Sequence, residues 1–398
     1  MTGAVRHFLD HNAGAPLLPA ARARMIEVLD LAGNPSSVHA EGRAARAVVE
    51  QARAEIAALC GTRPDRVLFT SGGSESNAWM LHQARGHQAR GHQARGRQAR
   101  GHQAAVGRLA VSAVEHDSVL AAAPDAPRIP VDDQGVVHPH AVAAVLDRLP
   151  DGGAGALVAV MAVNNETGVI QPVAEIAALV HARGGRVACD AVQAAGRLDL
   201  GTLCGAVDFL SLSAHKIGGP KGVGVLVVGP EIEPAALIPG GQEYRRRGGT
   251  ENLAGIAGFG AAAAVLGATD RAAEAQRLAA LRDRIQAALA DAAPDVLFPG
   301  RDAAFGRVPN TLSVVLPGIA AETQVMRMDL AGIAVSAGSA CSSGKVAASP
   351  VLAAMGLGDL AGQALRVSLG AGSTADDAEA FIAAWCRMAA RRNRAAAE

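Results

Sequence analysis

Between residues 67 and 228 the apolar positions come in short, nearly unbroken runs such as V-L-F, L-V-A-V-M-A-V, V-A-C and V-L-V-V, separated by periodic stretches or glycine-rich turns. Runs of that length read as strands buried on both faces, here over 67–70, 108–114, 156–163, 186–190, 207–213 and 223–228. Segments with apolar residues every three or four positions alternate with them and predict helices over 40–60, 140–149 and 173–183. The alternation predicts an α/β architecture, a mostly parallel sheet sandwiched between helices.

Upstream, residues 7–16 read as an extended arm and a turn, followed by a helix to about residue 31. The loop G-N-P-S-S-V-H offers serines to cap the helix that starts near residue 40. Beyond residue 255 the texture changes to Ala-rich helices over 256–292, with a break near Thr269. Then come a strand in N-T-L-S-V-V-L-P-G, helices over 322–330 and 350–355, a strand over 365–369 and an amphipathic helix after Thr374. We therefore expect two domains: a large one over 16–265, and a smaller α+β domain made of 1–15 and 266–398.

One segment fits neither period. Residues 82–104 are a tandem pentapeptide built on H-Q-A-R-G, with nothing apolar larger than Ala. A five-residue step turns about 140° around a helix, so no face collects the histidines. A solvated surface loop, inserted without harm to the core, is expected.

Charge narrows the function classes. Lys+Arg and Asp+Glu both number 37, which gives no electrostatic case for nucleic acid or a membrane surface as a partner. No apolar run reaches the length of a membrane span, and the first residues lack a signal-peptide core. The five cysteines are widely spaced and include no C-x-x-C, so neither a disulfide framework nor a metal site is expected, and a reducing, cytoplasmic setting is.

Candidate chemistry collects at the C-terminal ends of the predicted strands, where open α/β sheets bind ligands: Ser71, His116, Asn165, Asp190 and Ser213. After the strand over 67–70, S-G-G-S-E-S-N leads into a helix, a geometry that presents free backbone N–H groups and a positive dipole end to phosphate. The chain has only three lysines, at 216, 221 and 345, against thirty-four arginines. Only lysine can lose its proton and form a Schiff base, and Lys216, after a buried strand and beside His215, is the best placed of the three. Asp190 is the natural acid to face a pyridine nitrogen and keep pyridoxal phosphate an electron sink. Cys341, in G-S-A-C-S-S-G-K, has small polar neighbours, unlike a core cysteine, and reads as a reactive thiol whose thiolate Lys345 would favour.

Taken together, F-L-D-H-N-A-G-A-P, N-P-S-S-V-H-A-E-G-R, F-T-S-G-G-S-E-S-N, V-N-N-E-T-G-V-I-Q-P, S-A-H-K-I-G-G-P-K-G, R-R-R-G-G-T-E-N, G-S-A-C-S-S-G and L-R-V-S-L-G resemble the cysteine desulfurases. These are pyridoxal-phosphate enzymes of fold type I in the class V aminotransferase group, and the resemblance runs in order from residue 7 to about 370. It implies that Lys216 carries the cofactor and moves the substrate proton, that Asp190 pairs with the ring nitrogen and Gln193 with the ring oxygen, and that His116 stacks on the ring. Gly73, Ser74, Ser213 and His215 would hold the phosphate, with Thr250 reaching in from the second subunit of a homodimer. Asn165 would sit by the ring oxygen and substrate, and Arg366 would clamp the substrate carboxylate. Cys341 would take sulfur from L-cysteine as a persulfide, leaving alanine, and pass it to an iron–sulfur scaffold or another acceptor protein. No firm metal site is implied; Cys341 would at most touch an iron–sulfur centre in passing. A selenocysteine lyase, another class V aminotransferase-like enzyme, or a catalytically silent sulfur-relay or scaffold subunit are the alternative readings. Two departures stand out: relatives usually carry Thr-Thr where Ala13, Gly14 and Ala15 lie, and Thr where Ser74 keeps only the hydroxyl.

Overall fold

The computed structural model describes residues 6–93, 108–338 and 348–397. The N-terminal half is built from β1 (His7–Phe8), α1 (Pro19–Leu29), α2 (Ala40–Leu59), β2 (Val67–Thr70), α3 (Gly73–Gln93), β3 (Leu109–Ser112), α4 (Asp117–Leu120), β4 (Arg128–Ile129), α5 (Pro139–Leu146) and β5 (Leu157–Ala159). The chain continues through α6 (Val173–His181), β6 (Arg186–Asp190), α7 (Leu200–Ala206), β7 (Phe209–Ser213), β8 (Gly224–Val228), α8 (Leu253–Ala268) and α9 (Arg271–Ala292). It ends with β9 (Thr311–Val315), α10 (Ala321–Leu330), β10 (Ile333–Ala334), β11 (Ser336–Ala337), α11 (Pro350–Ala354), β12 (Ala364–Ser368) and α12 (Ala375–Ala397).

The main sheet has seven strands in the order β2-β8-β7-β6-β5-β3-β4. Only β8 runs against its neighbours, so the C-terminal ends of β2, β3, β5, β6 and β7 share one edge. Both faces of the sheet are covered, which explains the unbroken apolar runs. Phe69, Val158, Val187, Leu210 and Val225 face one core with Ile56, Ile176 and Phe259. Their strand neighbours Leu68, Leu157, Ala188, Phe209 and Leu226 face the other with Trp79 and Met80. On the first side α8 lies so close to α2 that a Cβ on Gly260 would sit 2.6 Å from Ala52 Cα. A separate core joins α9 and α12 to the three-stranded sheet β11-β12-β9, with Leu9 among its members. α8 and α9 meet at 88° across the break at Thr269, and among the described residues no single helix is long and apolar enough to cross a membrane.

Two expectations change. The cap of α2 is His39, whose ring accepts from Gly42 N at 3.3 Å, while Asn34 Oδ1 takes the Ser36 N–H instead. The pentapeptide segment is not all loop: α3 runs through it to Gln93, because Gln, Ala and Arg are strong helix formers extending a helix already nucleated upstream. Gln83 is buried and exchanges side-chain hydrogen bonds with the Ala235 backbone at 2.8 and 3.3 Å. Residues 94–104 of the repeat lie outside the described residues.

Candidate active site

The strand ends, with Asn12 and Ala13 of the N-terminal arm, line a cavity of about 630 Å³. From β2 the chain turns directly into α3, whose first turn presents Gly73 and Ser74 to the cavity. A Cβ on Gly73 would lie 3.0 Å from Val192 Cγ2, so the backbone is bared here by close approach rather than by conformational need. The N-terminus of a long helix opening into a cavity favours an anion.

Asp190 ends β6 with both oxygens held. Val192 N donates to Oδ1 at 2.9 Å and Asn77 Nδ2 to Oδ2 at 2.7 Å, while Ser211 Oγ fixes Asn77 from behind at 2.6 Å. Glu115 is buried nearby, and burial, reinforced by the charge of Asp190, pushes its carboxyl up to about 8. The neutral form of Glu115 is therefore favoured at pH 7. β7 ends at Ser213, and a 3-10 turn, Ala214–Lys216, carries His215 and Lys216 into the cavity. Burial, with the charges of Lys216 and Lys221 adding to it, pulls His215 down to about 4, so its ring is neutral at pH 7. At the end of β3, His116 caps α4 by accepting from Ser118 N at 3.1 Å.

The far wall comes from both chain ends. Arg366 on β12 is buried; it donates to Asn165 O at 3.2 Å and to Asp10 Oδ1 at 2.9 Å, and its Nε has no partner among the described residues. Asn165 Oδ1 is also buried and has no partner among the described residues. Asn12 is the hub that sequence reasoning missed. Its carbonyl accepts from Lys216 Nζ at 2.5 Å and Gln193 Nε2 at 3.0 Å, while its side chain reaches Asn165 O, Thr311 and Arg197. The D-H-N triplet of the N-terminal arm was the available signal, as was S-E-S-N for Asn77. Gly14, one of the departures, has a local reason: a Cβ there would press to 3.3 Å from His215 Nδ1.

Gly73, Ser74, His116, Asn165, Asp190, Gln193, Ser213, His215, Lys216 and Arg366 thus all line one cavity. Thr250 does not line it and is exposed on the single chain. Cys341 and Lys345 lie outside the described residues. The set fits a pyridoxal phosphate group: an amine, an oriented carboxylate, hydroxyls at a helix N-terminus, and a buried amide oxygen still lacking a donor.

Residues 7–381 match the family model of class V aminotransferases. A cysteine desulfurase of Cereibacter sphaeroides is 36% identical over 95% of this chain and 94% of its own length. A putative cysteine desulfurase, IscS 1, of Bacillus subtilis is 34% identical over 93% and 95%. The crystal structure of a NifS-like protein from Rickettsia africae superposes with a TM-score of 0.81 at 31% identity, covering 96% of this chain and 98% of that one. With the cavity assembled at the strand ends of the same fold, the chain belongs to the class V aminotransferases and, within them, to the cysteine desulfurases.

Proposed function

We propose that this chain converts L-cysteine to L-alanine and carries the released sulfur as a persulfide on Cys341. The observation that carries the reading is the convergence of Lys216, Asp190, His116 and Arg366 on one cavity whose floor is a helix N-terminus. Pyridoxal phosphate, the family's cofactor, withdraws electron density from the substrate Cα and makes the Cβ–S bond labile when bound. Lys216 would hold the cofactor and move the proton at the substrate Cα. Asp190, locked by Asn77 and Val192, would hold the proton on the ring nitrogen, and Gln193 and Asn165 would serve the ring oxygen. His116 would cover the ring. Gly73, Ser74, Ser213 and the neutral His215 would hold the phosphate. Arg366 binds the substrate carboxylate through donors that internal bonds leave unused.

The Cys341 thiolate attacks the sulfur of bound cysteine. An S–S bond forms as the Cβ–S bond breaks, the electron pair stays on Cβ, and protons delivered in the site complete alanine. A second thiol then removes the sulfur. We read the protein as a homodimer in which Thr250 completes the partner's phosphate site, with an iron–sulfur scaffold or another thiol protein as acceptor. We read the chain as two domains, 16–265 and 1–15 with 266–398; a core shared by Leu9, α9, β9, β12 and α12 supports the second, although Val308, Val351, Leu352 and Met355 pack into the core of the first. Incubation with L-cysteine and a reductant tests the function. Wild type is expected to release alanine and sulfide in equal amounts, and Lys216→Ala and Cys341→Ala to release neither. No alanine from the cofactor-loaded wild type would end this reading.

A further inference from the structure

We propose that Glu166 is a positioning residue for sulfur transfer, pinning both stems of the segment that carries Cys341; this rests on the desulfurase reading above. Glu166 is buried in the loop after β5, next to Asn165 of the cavity wall. Its own end is fixed: its N–H donates to Asn164 Oδ1 at 2.9 Å, and Asn164 Nδ2 donates to Val114 O at 3.0 Å, two residues before His116. Its carboxylate points the other way. Oε2 accepts from Ser349 Oγ, and a Cβ built on Gly338 would fall 2.6 Å from that same oxygen and 3.4 Å from Ser349 Cβ.

In the chain, Cys341 lies between Gly338 and Ser349, and both of these residues approach the same oxygen of Glu166. Ser349 is itself immobilised, since its Oγ caps α11 through Leu352 N at 3.0 Å and its N–H donates to Ala361 O at 3.0 Å. Gly338 is required by the carboxylate passing at contact distance: any side chain there displaces either the stem or Glu166. Burial pushes Glu166 above the usual carboxylate range, with Ser349 and the charges of Arg366 and His116 partly offsetting it. A buried carboxyl kept in place at that cost, felt by Arg366 and bonded to Ser349, links the cavity wall to the residues that flank the Cys341 segment.

The test uses cofactor-loaded Glu166→Ala, Glu166→Gln, Ser349→Ala and Gly338→Ala. Three readouts are taken: the absorbance change on adding L-cysteine, the rate at which sulfur appears on Cys341, and the rate of Cys341 alkylation without substrate. In Glu166→Ala and Ser349→Ala the absorbance change is expected to persist while sulfur transfer slows by about 10- to 100-fold, the scale of an ångström-sized misplacement. Alkylation is expected to change in the same variants. Glu166→Gln keeps an oxygen that accepts from Ser349 and is expected to restore transfer. Gly338→Ala is expected to slow transfer in the wild-type background but to add nothing in Glu166→Ala, because the atom it presses against is gone. Wild-type transfer and alkylation rates in both Glu166→Ala and Ser349→Ala would overturn the proposal, as would equal losses from Gly338→Ala in the two backgrounds. If Glu166→Ala does not fold, Ser349→Ala breaks the same bond from the other side. A wild type that gives neither the absorbance change nor alanine refutes the desulfurase reading instead, and the alkylation arm still decides the role of Glu166.

Discussion

Two arginines in this molecule are equally buried, each 3% exposed, and differ in how completely they are used. All three guanidinium nitrogens of Arg53 donate within the protein. It makes a forked pair with Glu243 at 2.8 and 2.9 Å, bonds Val67 O at 2.6 Å and Glu50 at 3.2 Å, and lies between the Phe69 and Tyr244 rings at 4.8 and 5.2 Å. Glu243 in turn accepts from Phe69 N, so the pair ties edge strand β2 to a turn in which Glu243, Tyr244 and Arg245 all have positive φ. Such a turn without glycine persists only because its surroundings hold it. Arg366 has one carboxylate, one carbonyl and an Nε with no partner among the described residues, and it faces the cavity. A guanidinium engaged by the protein through every nitrogen is a clamp. One left incomplete at a cavity wall keeps a donor for a ligand, which is the role proposed above for Arg366.

The first way to break this contrast is to truncate the clamp. Arg53→Ala leaves Glu243 buried and uncompensated and is expected to cost about 3–5 kcal/mol in chemical denaturation. Pairing Arg53→Met with Glu243→Gln is expected to cost less, since no lone charge remains. A loss under about 1 kcal/mol for Arg53→Ala would mean that the pair is no more than a surface bridge. Arg366→Lys is expected to do the reverse. It keeps the charge beside Asp10 but loses the fork, so kcat/KM for L-cysteine should fall by about 100-fold while the denaturation midpoint barely moves. A large stability loss with unchanged kinetics would make Arg366 another clamp.

The smallest expected effect is a pH dependence. The folded protein holds His215 well below its ordinary value of 6.5, chiefly by burial, so protonation favours the unfolded chain. Its contribution to stability is complete above about pH 6.5 and is lost as pH falls towards about 4. Melting temperatures of the cofactor-free protein across that window should decline less steeply in His215→Asn than in wild type. Parallel curves would remove His215 as the cause.

Much of this was legible in the chain because the information is local. Strands 67–70 and 186–190 are where their apolar runs place them, and the helix break at Thr269 follows from a β-branched residue before an Asp cap. The residues at strand ends converge because parallel strands put those ends on one edge. What stayed hidden depends on distance in sequence. The D-H-N triplet marks Asn12 as polar but does not announce that its carbonyl meets Lys216 and its side chain Thr311. The reversed direction of β8 is a property of pairing, not of its residues. Two-residue strands such as β1 and β10 carry no period to read. Gln83, in a repeat without apolar residues larger than Ala, is buried only because α3 carries it against Ala235.

The most direct measurement is mass analysis of the cofactor-loaded protein after L-cysteine is added without reductant. One additional sulfur on the Cys341 peptide, in step with alanine released and absent from Lys216→Ala, is the predicted result. Alanine released with no sulfur on Cys341 would contradict it.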